Sequence, residues 1–236
     1  MTVPVTLVTG TSRGLGRAIA AALLARGDVV FGCARGEATI ADPAYTHIQA
    51  DLTEARAVEA LFGHVRQAPE GTLGLVVHSA GVSHGRLAVM TSAAEADAVI
   101  RGNLLATFLV NREAMKAMRR RRAGRIINLS SINVRQAALG SALYNASKSG
   151  IETLTRSLSR ECAEGDVTIN CLGLSLVADG GMAEAVTGAA REERLGSLVK
   201  ATPLAVAEIL HAIDFLASPL ARSITGETLY FGGGAG

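Results

Sequence analysis

Tryptophan is absent from this 236-residue chain, aromatic residues make up only 3% of it, and lysine occurs three times, as Lys116, Lys148 and Lys200. A core of this composition is packed from aliphatic side chains rather than rings, and a hydrophobic share of 49% supplies ample material for it. The three cysteines, Cys33, Cys162 and Cys171, are odd in number and widely spaced, with no CxxC among them. That pattern argues against a disulfide framework or a zinc site and marks them as small reduced apolar residues. His47, His64, His78, His84 and His211 show no metal-ligand spacing, so no metal is expected. No apolar run approaches the ~20 residues that cross a bilayer, and Met1-Thr2-Val3-Pro4-Val5 lacks the basic and apolar blocks of a leader. With 23 basic against 21 acidic residues, the net charge of +2 leaves little basis for a nucleic-acid surface. These absences predict a soluble, cytoplasmic protein with neither membrane nor nucleic acid as partner.

What is present is a regular alternation. Short β-branched runs alternate with longer Ala- and Leu-rich stretches, the pattern of repeated βα units around a parallel sheet in one domain over residues 1–236. Strands are expected at 5–9, 29–34, 46–50, 73–78, 125–129, 167–172 and 228–231. Helices are expected at 14–26, where Gly27 is placed to end the first, and at 54–65, 103–118, 144–162 and 207–216. The stretch 177–200 differs, with Gly180, Gly181, Gly188 and Gly196 among mixed charges after a strand end, and reads as a lid over a substrate.

Thr9-Gly10-Thr11-Ser12-Arg13-Gly14-Leu15-Gly16 joins the first strand to the first helix. Glycines there let the backbone approach a pyrophosphate held at the helix N-terminus, so Gly10, Ser12, Arg13, Gly14, Leu15 and Gly16 are read as dinucleotide-binding. The second strand ends in Cys33-Ala34-Arg35, without the carboxylate that would hold the ribose hydroxyls of NAD. Arg35 together with Arg13 suits a 2′-phosphate instead, which selects NADP(H). Asp51 and Leu52, after the third strand, are placed beside the adenine.

The chemistry is announced by Tyr144, one of three tyrosines, with Lys148 four residues on, and by Ser131 at the end of an apolar strand. Residues four apart share a helical face, and an ammonium beside a phenol favours the phenolate, which suits proton exchange with a carbonyl oxygen. Ser131 would hydrogen-bond the same oxygen.

Across essentially its whole length the chain resembles the short-chain dehydrogenase/reductase family, in its 3-oxoacyl-carrier-protein reductase branch. The resemblance is carried by the glycine motif, Asp51, the segment His78-Ser79-Ala80-Gly81, Asn103, Ser131, Tyr144 and Lys148, in family order. It implies a Rossmann-type, doubly wound parallel sheet flanked by helices and a catalytic tetrad of Asn103, Ser131, Tyr144 and Lys148, with Asn103 relaying protons to Lys148 through water. It further implies cofactor contacts from Ser79, Ala80, Gly81, Tyr144, Lys148 and Val177, and a homotetramer or dimer. Departures lie on the nicotinamide side. Leu174-Ser175 stands where the family has Pro-Gly, Asp179 where it has Thr, and Gly232 where it has Asp or Asn.

Asn133, Val134, Leu139, Leu143, Leu174, Leu176 and Met182 are expected to face the ketone, and their mostly apolar character suits an acyl or polyketide-like substrate. The run Arg119 to Arg122 reads mainly as a solvated helix end. In carrier-dependent relatives a basic residue matching Arg122 binds an acyl carrier protein, while the second such position here is Gly165. The leading expectation is an NADPH-dependent ketoreductase acting on a β-ketoacyl or secondary-metabolite carbonyl. The alternatives are a dehydrogenase of small or steroid-like secondary alcohols, and a weakly active subunit that pairs with a sister reductase.

Overall fold

The computed structural model describes residues 3–68, 71–162, 164–178 and 189–233. Seven strands are β1 Val3–Thr9, β2 Val29–Ala34, β3 Tyr45–Gln49, β4 Gly71–His78, β5 Ala123–Ser131, β6 Asp166–Leu174 and β7 Thr228–Tyr230. They pair in parallel in the order β3-β2-β1-β4-β5-β6-β7. The chain winds outward from β1 to β3, returns to β4 beside β1, and winds outward again. The order therefore reverses between β1 and β4, the place where open α/β sheets open a crevice at their C-terminal strand ends.

The helices are α1 Gly14–Ala25, α2 Ala55–Arg66, α3 Ala93–Ile100, α4 Ala106–Arg119, α5 Asn133–Gln136, α6 Ala142–Glu161, α7 Ala189–Gly196 and α8 Val206–Ala217. Helices α2, α4 and α6 cover one face of the sheet, where Val58, Leu61, Phe62, Val110, Met118 and Leu158 meet Val5, Leu7, Val76 and Ile126. Helices α1 and α8 cover the other, with Ile19, Leu23, Ile209 and Ile213 against Val8, Val77, Ile127 and Leu172. Burial on both faces explains why the central strands read as unbroken apolar runs. In α2 the buried residues Val58, Leu61, Phe62 and Val65 recur at helical spacing, and each contributes roughly 1.5–3 kcal/mol by leaving water. Gly27, at φ +92°, ends α1 as expected, its N–H donating to the Leu24 carbonyl at 2.8 Å.

Several elements differ from the sequence reading, among them the short helices α5 and α7. Asn103 does not begin a regular helix: Arg101–Leu105 is a π-helical turn between α3 and α4. α3 itself was not expected. It is started by a capping box in which the Ser92 hydroxyl accepts from the Glu95 N–H while the Glu95 carboxylate accepts from the Ser92 N–H.

Candidate active site

The turn after β1 lies backbone to backbone against the segment after β4. A Cβ on Gly10, whose φ is +78°, would sit 3.0 Å from the Ala80 Cα, and one on Gly16 would sit 2.4 Å from the Gly10 carbonyl oxygen. The N–H groups of Gly10 and Thr11 donate to the Cys33 carbonyl at 2.8 and 3.2 Å, tying the turn to β2. Arg13 occupies the N-cap of α1 without a side-chain cap, which leaves the helix's first N–H groups open to an anion. These features fit a dinucleotide pyrophosphate.

Thr9 clasps the neighbouring segment. Its hydroxyl accepts from the N–H groups of Ser79 and Ala80 at 3.1 and 3.0 Å and lies 2.9 Å from His78 Nδ1. With both lone pairs engaged, the hydroxyl proton goes to Nδ1, so the ring carries its own proton on Nε2. His78 is completely buried, and burial, with the Lys148 charge adding, lowers its pKa to about 3. Its Nε2 and the Oδ1 of Asn128, the residue beside it in the sheet register, have no partner among the described residues.

At the far end of the crevice Arg13 and Arg35 are exposed, and the residue directly after β2 is Arg35 rather than a carboxylate. Asp51 accepts from Thr53 N–H and Oγ1 at 2.9 and 2.8 Å. The backbone bond is the main cause holding its carboxyl below the ordinary range, with Arg35 and Arg101 contributing by charge. Leu52 is buried, and Val177 is buried in a parallel bridge with Leu204.

Ser131 ends β5, and Tyr144 and Lys148 lie on the first turns of α6. Lys148 is only 4% exposed, and its Nζ donates to the Leu129 carbonyl at 2.8 Å and stands 5.8 Å from the centre of the Tyr144 ring. The Ser131 hydroxyl accepts from the Asn133 N–H at 3.2 Å and keeps its own proton to donate. Asn103 is buried: its Oδ1 accepts from Val82 N–H at 2.8 Å, and its Nδ2 donates to the Val82 carbonyl and to Ser147 Oγ at 3.0 and 2.9 Å. A Cβ on Gly81 would fall 2.8 Å from Asn103 Oδ1 and 3.6 Å from Lys148 Nζ, so the glycine brings Asn103 and Lys148 together.

Other expected residues are placed less centrally. Asn133 and Leu143 are half-buried, while Leu139 is 91% exposed. Leu174 packs into the core with Leu129, Leu172 and Leu204. Ser175 beside it is buried, with a hydroxyl that has no partner among the described residues. Met182, Asp179 and the glycines Gly180, Gly181 and Gly188 lie outside the described residues, as do all of residues 179–188 in the stretch read as a lid, while its later part carries α7. Arg119 to Arg122 are exposed. Gly165, at φ +109°, has no room for a side chain, since a Cβ would meet the Arg122 carbonyl oxygen at 2.7 Å. Sequence reasoning passed over Thr9 and Ser147. A hydroxyl at the end of a buried strand, and another one turn after Tyr144, were the available signals.

The family model described as short chain dehydrogenase matches residues 4–190. The 3-oxoacyl-(acyl-carrier-protein) reductases of Salmonella typhimurium and Escherichia coli are each 33% identical over 240 residues, covering 98% of this chain and 96% of theirs. Among solved structures, a variant of actinorhodin polyketide ketoreductase with NADPH superposes with a TM-score of 0.87 at 27% identity, over 98% of this chain and 96% of that one.

Proposed function

This chain belongs to the short chain dehydrogenase family, and from that premise we propose that it is an NADPH-dependent ketoreductase that reduces a β-ketoacyl carbonyl to a hydroxyl. The observation that carries the reading is the buried Lys148 ammonium, held between the Leu129 carbonyl and the face of Tyr144 beside the strand end that presents Ser131. When bound, NADPH supplies the hydride. The glycine turn and the open N-terminus of α1 hold its pyrophosphate, Asp51 and Leu52 edge the adenine, and Arg13 and Arg35 select the 2′-phosphate.

The protein's own part is positioning and proton transfer. Ser131 donates a hydrogen bond to the substrate carbonyl oxygen, and Tyr144 gives that oxygen its proton as charge develops on it. Lys148 sets a positive charge beside the ring of Tyr144, close to the oxygens between which the proton moves. Because Leu129, two residues from Ser131, accepts from Lys148 Nζ, one strand end fixes both the donor and the cation. Asn103, anchored to Val82 and Ser147, holds the wall through which protons return to Lys148.

The 3-oxoacyl thioester substrate, and its delivery on an acyl carrier protein, are taken from the relatives' activity. The exposed basic run ending at Arg122 supplies a surface of the right sign for an acidic carrier. The decisive experiment follows NADPH consumption with a 3-oxoacyl thioester. Tyr144→Phe is expected to lower kcat by about 10²–10⁴-fold while retaining NADPH binding, and a variant with native turnover would remove the assigned acid. For the carrier, Arg122→Glu is expected to raise KM for the carrier-bound substrate and leave KM for the free thioester unchanged.

A further inference from the structure

The three residues that alternate along one side of the edge strand β3, Tyr45, His47 and Gln49, all spend their polar atoms on the cofactor end of the crevice. The Tyr45 hydroxyl lies 2.8 Å from Thr11 Oγ1 in the glycine turn and 3.0 Å from His47 Nδ1. His47 Nε2 lies 2.9 Å from the Gly36 carbonyl, which can only accept, so Nε2 carries a proton. Gln49 Nε2 donates to the Arg35 carbonyl at 2.6 Å. From the other side, the Thr39 hydroxyl reaches the carbonyls of Thr11 and Ser12 at 3.3 and 3.1 Å. The segment that carries Arg35 is thus stitched to β3 at two successive carbonyls and to the glycine turn at a third point.

The sequence makes room for this arrangement. A Cβ on Gly32 would lie 2.1 Å from the Tyr45 hydroxyl oxygen, so the glycine in β2 is what lets the tyrosine lie across that strand and reach Thr11. Burial, the largest influence on it, raises the Tyr45 pKa, which keeps the phenol protonated and available as a donor. The neighbouring Arg35 is close enough for its charge to be felt at Asp51.

We propose that Tyr45 and His47, with Gln49, form a strut that fixes the Arg35–Gly36 main chain against the glycine turn and so positions Arg35 for the 2′-phosphate of NADP(H). They are positioning residues for cofactor selection, and this role rests on the NADPH reading above. Gripping a phosphate with one guanidinium depends on where the main chain places it, because an arginine on an unanchored loop loses rotamer and backbone freedom on binding. Carbonyls held by a strand's side chains remove that cost in advance.

Binding of NADPH, NADH, adenosine 2′,5′-bisphosphate and adenosine 5′-monophosphate is to be measured by calorimetry on the native protein and on Arg35→Ala, Tyr45→Phe, His47→Ala and His47→Gln. Tyr45→Phe keeps the ring over Gly32 and removes only the hydroxyl. It and His47→Ala are expected to weaken NADPH and the 2′,5′-bisphosphate about tenfold, with the two ligands lacking a 2′-phosphate changed less than about twofold. His47→Gln, which can still donate to the Gly36 carbonyl, is expected to recover most of the loss. If the native protein prefers NADPH and Arg35→Ala lowers that preference, while Tyr45→Phe and His47→Ala leave it intact or weaken all four ligands alike, the strut is refuted and the NADPH reading stands. If the native protein binds NADPH and NADH equally and Arg35→Ala changes neither, both fall together.

Discussion

His78 is buried beneath the crevice, and its burial has a pH consequence. The ring is neutral in the fold because burial lowers its pKa from 6.5 to about 3, whereas the unfolded chain takes up a proton below 6.5. Its contribution to stability is therefore complete above pH 6.5 and is lost as the pH falls from there toward 3, at up to about 1.4 kcal/mol per pH unit. His78→Asn should flatten this loss in denaturant unfolding followed from pH 7 to 4, and an unchanged slope would count against the assignment. Gly81→Ala makes a sharper local test. Its Cβ would press on Asn103 Oδ1 at 2.8 Å, and Asn103 is held from two sides and cannot yield freely. The expected cost is about 1–3 kcal/mol of stability with a fall in kcat, read by thermal unfolding and steady-state kinetics. The thiols of Cys33 and Cys171, pushed up to about 12 chiefly by burial, remain protonated, in keeping with their reading as reduced core residues.

Elements carry these residues to one another. α3 runs without a break into the π-helical turn that holds Asn103, so its start at Ser92 bears on the site although it lies far from it. Ser92→Ala removes the cap and is expected to cost about 1 kcal/mol, lowering the thermal midpoint by about 2–4 °C. α6 was legible from Tyr144 and Lys148 because a four-residue spacing on a helix leaves little freedom. The first helix and its glycine turn were legible for a similar reason: strand, turn and helix each carry a local signal. α3 was not, since an eight-residue helix with a single buried residue, Val99, has no apolar stripe to read. Nor was the π-helical turn, because one extra residue per turn is set by packing against Val82 and Ser147 rather than by propensity.

Over the whole molecule, two apolar layers sandwich one sheet, and the central strands belong to both. Ile126 and Ile127 on β5 are adjacent in sequence and serve opposite cores. Ile126→Ala is expected to destabilise the fold by about 2–5 kcal/mol, measured by denaturant unfolding, because a fully buried side chain among fixed neighbours leaves a cavity that cannot collapse.

The sequence by itself determined the alternation of strands and helices, the dinucleotide turn and the Tyr144–Lys148 pair. Each of these depends on periodicity or on spacings of a few residues, which a chain displays without folding. Only the tertiary structure decided which distant groups share a hydrogen bond. Thr9 meets Ser79 and Ala80, Asn103 meets Ser147, and Lys148 meets the Leu129 carbonyl, because strand register and helix packing bring together atoms that no local spacing relates. The strut from β3 to Arg35 and Gly36 is of the same kind, for it exists only where β2 and β3 lie side by side and Gly32 leaves space for a ring.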